Sequence, residues 1–247
     1  MDLPQLSLDS YHYFTVLGIE MIISYTHKFI FLKTRKTGSS SIQMALSLKC
    51  GDNDIIVGDE NINGSNVDRN IDKAFSRNAH VNLMQMKIAI PDEIWNSFFK
   101  FAFVRNPWDL VVSRYYWEKK GIGCSAADFH DWLPRYVNSD YAEPERNAQG
   151  NIVKRIWEIG GGYINDLQTP FVFDQETIGI QFVGRYERLS TDFDAVCRTL
   201  GIQTPPLPHL KSGFRKVKRN HELYDDLSRQ LVDHAFAPDI DHFGYVF

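Results

Sequence analysis

The chain has 247 residues, 43% hydrophobic and 23% charged, an ordinary globular composition that allows one large domain or two small ones. A net charge of −4 argues against a general nucleic-acid binder, and three cysteines without CxxC spacing (Cys50, Cys124, Cys197) argue against a disulfide framework or zinc site, favouring a reducing, cytoplasmic setting. No run approaches about eighteen apolar residues and the N-terminus lacks a basic start before an apolar stretch, so neither a membrane span nor a secretion signal is expected.

Residues 1–24 contain Tyr11, Tyr13 and Phe14 without a clear period and read as a first strand or an N-terminal extension. Phe29, Ile30, Phe31 and Leu32 form an unbroken apolar run, which suits a strand buried on both faces at the centre of a parallel sheet. Residues 33–41 then bring three cations, Lys33, Arg35 and Lys36, with Gly38 and small hydroxyl residues. From there Ile42, Ala45, Leu46 and Cys50 fall at i, i+3, i+4 and i+8, which asks for a helix. Strand, basic polar loop and helix in that order make an anion site. The first-turn amides and the positive end of the helix dipole favour a phosphate-like group, Gly38 permits close backbone approach, and Thr37, Ser39, Ser40 and Ser41 offer hydroxyls.

Residues 51–78 are rich in Asp, Asn and Gly and read as a surface insertion. His80 opens HVNLMQMKIAIP, where Val81, Met84 and Ile88 make a helical stripe that ends before Pro91, and a short helix is expected over 92–98. Phe101, Ala102, Phe103 and Val104 are a second buried strand. Asn106 and Pro107 are N-cap and first residue of a helix whose core face is Trp108, Val111, Val112 and Tyr115, with Ser113 off that face. Arg105 stands at the strand's C-terminal end, where open α/β sheets bind ligands, and its planar fork matches a phosphate.

A capped amphipathic helix is expected over 125–137, with Phe129, Trp132, Leu133 and Tyr136 inward and Pro134 marking either a kink or an earlier end. Residues 141–162 read as a variable loop. Apolar runs at 169–173 and 178–183 lead into VGRYERL and a helix over 192–200. Five cations within 211–219, namely Lys211, Arg215, Lys216, Lys218 and Arg219, mean either a solvated surface or a flap that closes on an anion. Leu223, Leu227, Leu231 and Phe236 follow at helical spacing, and the chain ends in DHFGYVF.

The nucleotide triphosphatase loop GxxxxGK[ST] does not fit residues 33–41, because Lys33 stands where its first glycine belongs and the lysine precedes Gly38 instead of following it. The stretch resembles the 5′-phosphosulfate loop of sulfotransferases that use 3′-phosphoadenosine 5′-phosphosulfate (PAPS), particularly the carbohydrate, Golgi-type branch, with Arg35 in place of the usual proline. The Arg-Asn-Pro helix with a serine eight residues after the arginine resembles the same family's 3′-phosphate motif, with Leu110 where relatives often have an arginine that reads as a surface contact. A strand followed by Gly-Arg-Tyr-Glu and a helix, then a basic loop and a closing helix with a strand-like tail, extends the likeness from Phe29 to the end.

That resemblance implies an α/β, P-loop-like three-layer fold with a central parallel sheet flanked by helices, as one domain over 1–247. It implies PAPS as donor, held by Arg35, Lys36, Thr37, Gly38, Ser39, Ser40 and Ser41 at the 5′ side. Arg105 and Ser113 would hold the 3′-phosphate, Tyr186 would contact the adenine, and Lys211 and Arg215 belong to the flap. His80 is implied as general base, a task that suits a neutral imidazole near pH 7. Lys36 suits neutralisation of the oxygen that joins sulfur to phosphate. The implied acceptor is a glycan or other hydroxylated small molecule. No acidic cluster accompanies the loop, so no metal requirement is expected. A P-loop nucleotide kinase, and a non-catalytic relative that binds an anionic glycan, stay open as alternatives.

Overall fold

Short apolar runs that bury both faces set the sheet. In the computed structural model, which describes residues 20–57, 61–62, 65–66, 83–137, 166–174, 177–210, 213–215 and 220–247, they are β1 (Met21–Ser24) and β2 (Phe29–Leu32), every residue buried. The basic loop leads into α1 (Ser39–Ser47). Next come β3 (Ile55–Val57), the short pair β4 (Asn61–Ile62) and β5 (Ser65–Asn66), α2 (Leu83–Ala89), α3 (Asp92–Ser97) and β6 (Phe99–Val104). After α4 (Pro107–Glu118) and α5 (Ala126–Val137) the chain forms α6 (Thr169–Val172), β7 (Phe173–Asp174), β8 (Thr177–Ile178), β9 (Phe182–Arg185) and α7 (Leu189–Thr199). It closes with α8 (Asp226–Ala235) and α9 (Ala237–Phe243). The described residues divide into two compact units, one within Met1–Arg105 and Gln168–Ser212, the other within Asn106–Leu167 and Gly213–Phe247.

The first unit is built on a mixed sheet of order β3-β1-β2-β6-β9, whose parallel strands are flanked by helices. β2, β6 and β9 run parallel, with Phe31 opposite Phe101 and Ala102 opposite Val183. β1 and β3 add antiparallel strands beside β2, so the parallel strands expected from sequence belong to a mixed sheet. β3 lies inside the stretch read as an insertion; its three apolar, β-branched residues are too short a run to stand out beside Asp52, Asn53 and Asp54. On one face Phe29, Phe31, Phe101 and Phe103 pack with Ile42, Ala45 and Leu46 of α1 and Phe193, Val196 and Cys197 of α7. Ile30, Leu32, Ala102 and Val104 on the other face are equally buried, which is why the strands show no polar alternation.

Away from the loop, the buried Asp54 carboxylate ties the β1–β2 turn to the chain after α1. It accepts from Ser24 Oγ at 2.7 Å, Thr26 N at 3.0 Å, Thr26 Oγ1 at 3.1 Å and Gly51 N at 2.9 Å. Leu83 and Met86 of α2 are buried, as is Ile90 just beyond it, while Met84 is 49% exposed, so the expected place of Met84 in the buried stripe is corrected. Leu83 faces Gly179, where a Cβ would collide with it, and that contact turns Leu83 inward and Met84 outward. Val81 and the side chain of Ile88 lie outside what the structure describes. The run at 169–173 opens as the short helix α6 before the strand pair β7 and β8.

The described residues of the second unit are mainly helical. Asn106 caps α4 as read, its Oδ1 accepting from Trp108 N at 3.1 Å and Asp109 N at 3.3 Å, with Pro107 at the first position. Leu110 is fully buried, so the missing arginine at that position is replaced by a core contact. α5 runs through Pro134, and its Phe129 ring meets Tyr115 at 5.2 Å and Tyr224 at 5.0 Å. Asp166 accepts both Nε and Nη2 of Arg114, at 2.6 and 2.7 Å, and Tyr136 Oη at 2.6 Å.

A capping box between Asp225 and Ser228 starts α8, and its buried stripe is Ser228, Val232 and then Phe236; Leu227 is 67% exposed, against the stripe expected there. Of the tail expected to be strand-like, 241–243 form the end of α9, which Gly244 stops at φ 63, and 245–247 follow without a strand. Among the described residues no helix is long and apolar enough to cross a membrane.

Candidate functional site

The loop after β2 is held by its own side chains. Thr34 Oγ1 donates to the Phe103 carbonyl on the neighbouring strand, which ties the loop to the exit of β6. Thr37 Oγ1 lies 3.2 Å from the Thr34 carbonyl and 2.8 Å from Thr34 Oγ1, and Ser39 Oγ donates to the same carbonyl at 2.7 Å. These two hydroxyls therefore brace the loop. Lys36 and Gly38 both take left-handed backbone, at φ 58 and φ 76. Alternation of that kind turns successive N–H groups toward one concavity, and α1 adds the positive end of its dipole. Gly38 is required twice over: its φ disfavours other residues, and a Cβ there would sit 2.9 Å from Leu189 Cδ2 and 3.5 Å from the Tyr186 ring.

Lys33 does not add charge to this concavity. It is buried, with Nζ 2.6 Å from Glu20 Oε2, a partner thirteen residues upstream that no local pattern reveals. Arg35, Lys36 and Ser40 stay half-buried at the loop.

Arg105 joins them from the exit of β6. Gln168 holds its backbone at both ends, Oε1 accepting from Arg105 N at 2.6 Å and Nε2 donating to Arg105 O at 2.9 Å. The guanidinium donates through Nη1 to the Lys36 carbonyl at 2.7 Å and lies 3.8 Å from the centroid of the Tyr186 ring. Arg105 is 5% exposed, so this cation is positioned by packing and not by solvent. Lys36, Gly38, Arg105 and Tyr186 are thus brought together, as the parallel β2, β6 and β9 end side by side. Gln168 gave no sequence signal, because a polar residue between loop and apolar run looks like any turn residue.

Beside them lies a cavity of about 300 Å³ lined by Gly38, Ser41, Tyr186, Phe193, Pro205 and His209 among others. Its outer wall, residues 204–210, is pinned where Leu210 N donates to Ser41 Oγ at 3.4 Å. The prolines at 205, 206 and 208 were the available signal for this wall; proline fixes extended backbone without a sheet partner.

In the second unit Ser113 is half-buried on α4, and Arg215 donates through Nη1 to Asp109 Oδ1 at 2.6 Å. His80 and Lys211 lie outside the described residues. Among the described residues no cluster of His, Cys, Asp and Glu is arranged to hold a metal ion. Cys50, Cys124 and Cys197 form no disulfide.

No curated protein and no solved structure matches the chain. A family model described as the sulfotransferase family matches residues 20–149, a span that holds the loop, β6 with Arg105, and α4. With that match covering more than half of the chain and the motifs that carry it, the protein belongs to the sulfotransferase family, whose chemistry is sulfuryl transfer.

Proposed function

We infer that the protein transfers a sulfuryl group from PAPS to an acceptor hydroxyl or amine, with a carbohydrate hydroxyl as the favoured acceptor. The observation that carries this reading is the hydrogen bond from Arg105 Nη1 to the Lys36 carbonyl at 2.7 Å. It sets a strand-end guanidinium against an anion loop, and a donor phosphorylated at both ends needs two such cationic anchors. On this reading the loop amides of residues 37–41, with Arg35 and Lys36, hold the 5′-phosphosulfate. Arg105 and Ser113 take the 3′-phosphate, and Lys211 and Arg215 supply further charge. Tyr186 and the cavity beside it suit the base, since about 300 Å³ is the small end of ligand pockets.

Sulfuryl transfer forms a bond from the acceptor oxygen to sulfur and breaks the bond from sulfur to the bridging oxygen. Lys36 neutralises the charge that gathers on that leaving oxygen, and His80 accepts the proton the acceptor loses. The cytoplasmic setting is read from cysteine usage.

Calorimetric titration tests the donor: adenosine 3′,5′-bisphosphate should bind without magnesium, and ATP with magnesium should bind far more weakly. Radiolabelled PAPS with glycans, phenols and lipids tests the transfer. Protein that neither binds the bisphosphate nor labels any acceptor sinks the reading, and magnesium-dependent ATP binding in its place moves the chain to the nucleotide kinases. Lys36→Ala and His80→Ala should each lower turnover by roughly 10²-fold or more, with His80→Ala leaving bisphosphate affinity intact. Wild-type turnover in His80→Ala removes it as the base.

A further inference from the structure

Asp109, Ser113 and Trp117 of α4 are spaced i, i+4 and i+8, so they share one stripe of the helix, and all three are half-buried. Consecutive residues of a later segment hold the two ends of that stripe. The Phe214 ring packs edge-on against Trp117 at 5.6 Å, and its carbonyl sits so close to Gly121 that a Cβ there would come within 2.8 Å. Arg215, the next residue, reaches Asp109 at the other end, Nη1 to Oδ1 at 2.6 Å. The two anchor points are about 12 Å apart along the axis at 1.5 Å per residue, so the Arg215 side chain is drawn out along the stripe toward the helix N-terminus. Ser113 is its midpoint.

The side chains of Arg215 and Asp109 are 24% and 21% exposed, so their attraction is less screened than that of a surface pair. A guanidinium offers its donors as a planar fork. A carboxylate on one nitrogen therefore fixes the plane in which another edge meets phosphate oxygens.

We propose that Asp109 is a positioning residue, which aims Arg215 along the Ser113 face of α4 so that guanidinium and hydroxyl meet one phosphate together. The proposal rests on the donor reading above, under which that group is the nucleotide's 3′-phosphate. A carboxylate so near a phosphate also repels it, and the sign of the effect therefore decides between positioning and mere competition.

The experiment is calorimetric titration of the full chain with adenosine 3′,5′-bisphosphate and with adenosine 5′-phosphate, which lacks the 3′ group. Wild type should prefer the bisphosphate. Asp109→Ala should reduce that preference about tenfold, the loss expected when a charge-assisted contact is misaligned, with affinity for the 5′-phosphate unchanged. Asp109→Asn keeps an acceptor oxygen and should retain most of the preference. Arg215→Ala should lose as much as Asp109→Ala, and the double variant no more than either, as for groups that act as a unit.

A preference that survives or grows in Asp109→Ala overturns the proposal, as does equal weakening of both nucleotides in Asp109→Ala and Asp109→Asn. A wild type without preference overturns the donor reading together with this proposal. That result precedes any substitution, so the two failures are told apart.

Discussion

At Gly38 one residue's backbone decides whether the loop and the residues after β9 can meet. Two separate penalties fall on a side chain there, the left-handed φ of 76 and the contact with Leu189. Gly123, at φ 66 with open space around its Cβ position, carries only the first. Gly38→Ala should therefore cost about 1–2 kcal/mol of backbone strain plus the displacement of Leu189, and Gly123→Ala the strain alone. Thermal melting checks the difference, and adenosine bisphosphate titration should show loss of affinity in Gly38→Ala only. Equal melting and equal affinity in the two variants would remove the close-approach argument. Lys36 pays a similar conformational cost at φ 58 without glycine's freedom. The Arg105 hydrogen bond to its carbonyl is the contact that offsets it.

Among the elements, α4 shows how a cap links local and distant structure. Asn106 satisfies two first-turn amides with Oδ1 and donates through Nδ2 to the Val246 carbonyl at 2.9 Å. Asn106→Asp keeps the cap and loses the second bond, whereas Asn106→Ala loses both. Alanine should cost about 1 kcal/mol for the cap, with the lost Val246 contact added, and aspartate should recover most of the cap's share. Chemical denaturation of both variants tests this; an aspartate variant as unstable as alanine would show that the tail contact, not the cap, holds the helix start. β6 carries the opposite kind of device. Lys100 is buried and donates to the carbonyls of Trp95 at 2.6 Å and Phe98 at 3.0 Å, closing the end of α3, and burial pushes its pKa down.

For the whole molecule, two carboxylates of the second unit contribute to the response to acid. Hydrogen bonds from Lys119 and then Tyr115 hold the Asp128 carboxyl below the usual range, and the Ser228 hydroxyl and backbone do the same for Asp225. Both folded pKa values are depressed, so the native state binds fewer protons than the unfolded chain in that interval. Their stabilisation is complete above the unfolded value of about 4 and is lost as pH falls through the lower folded values. Melting temperature should thus hold steady near neutrality and drop below about pH 4, and Asp128→Asn should flatten part of that drop. Calorimetry across the acid range measures it; an unchanged acid slope in Asp128→Asn would exclude that carboxylate as a source.

The order strand, basic loop, helix, and the capped helix after Arg105, were legible from sequence because each rests on local chemistry. Apolar runs make buried strands, an Asn-Pro pair starts a helix, and i, i+3 and i+4 spacing marks its inner face. Tertiary structure alone decided which charges face the loop. Lys33 and Lys36 look alike in the chain, yet one is withdrawn to Glu20 while the other is bonded through its carbonyl to Arg105, 69 residues away. It also chose Leu83 over Met84 and joined residues 55–57 to the sheet. Burial and ion pairing are settled by whichever surface arrives from elsewhere in the fold, and no spacing along the chain encodes that arrival.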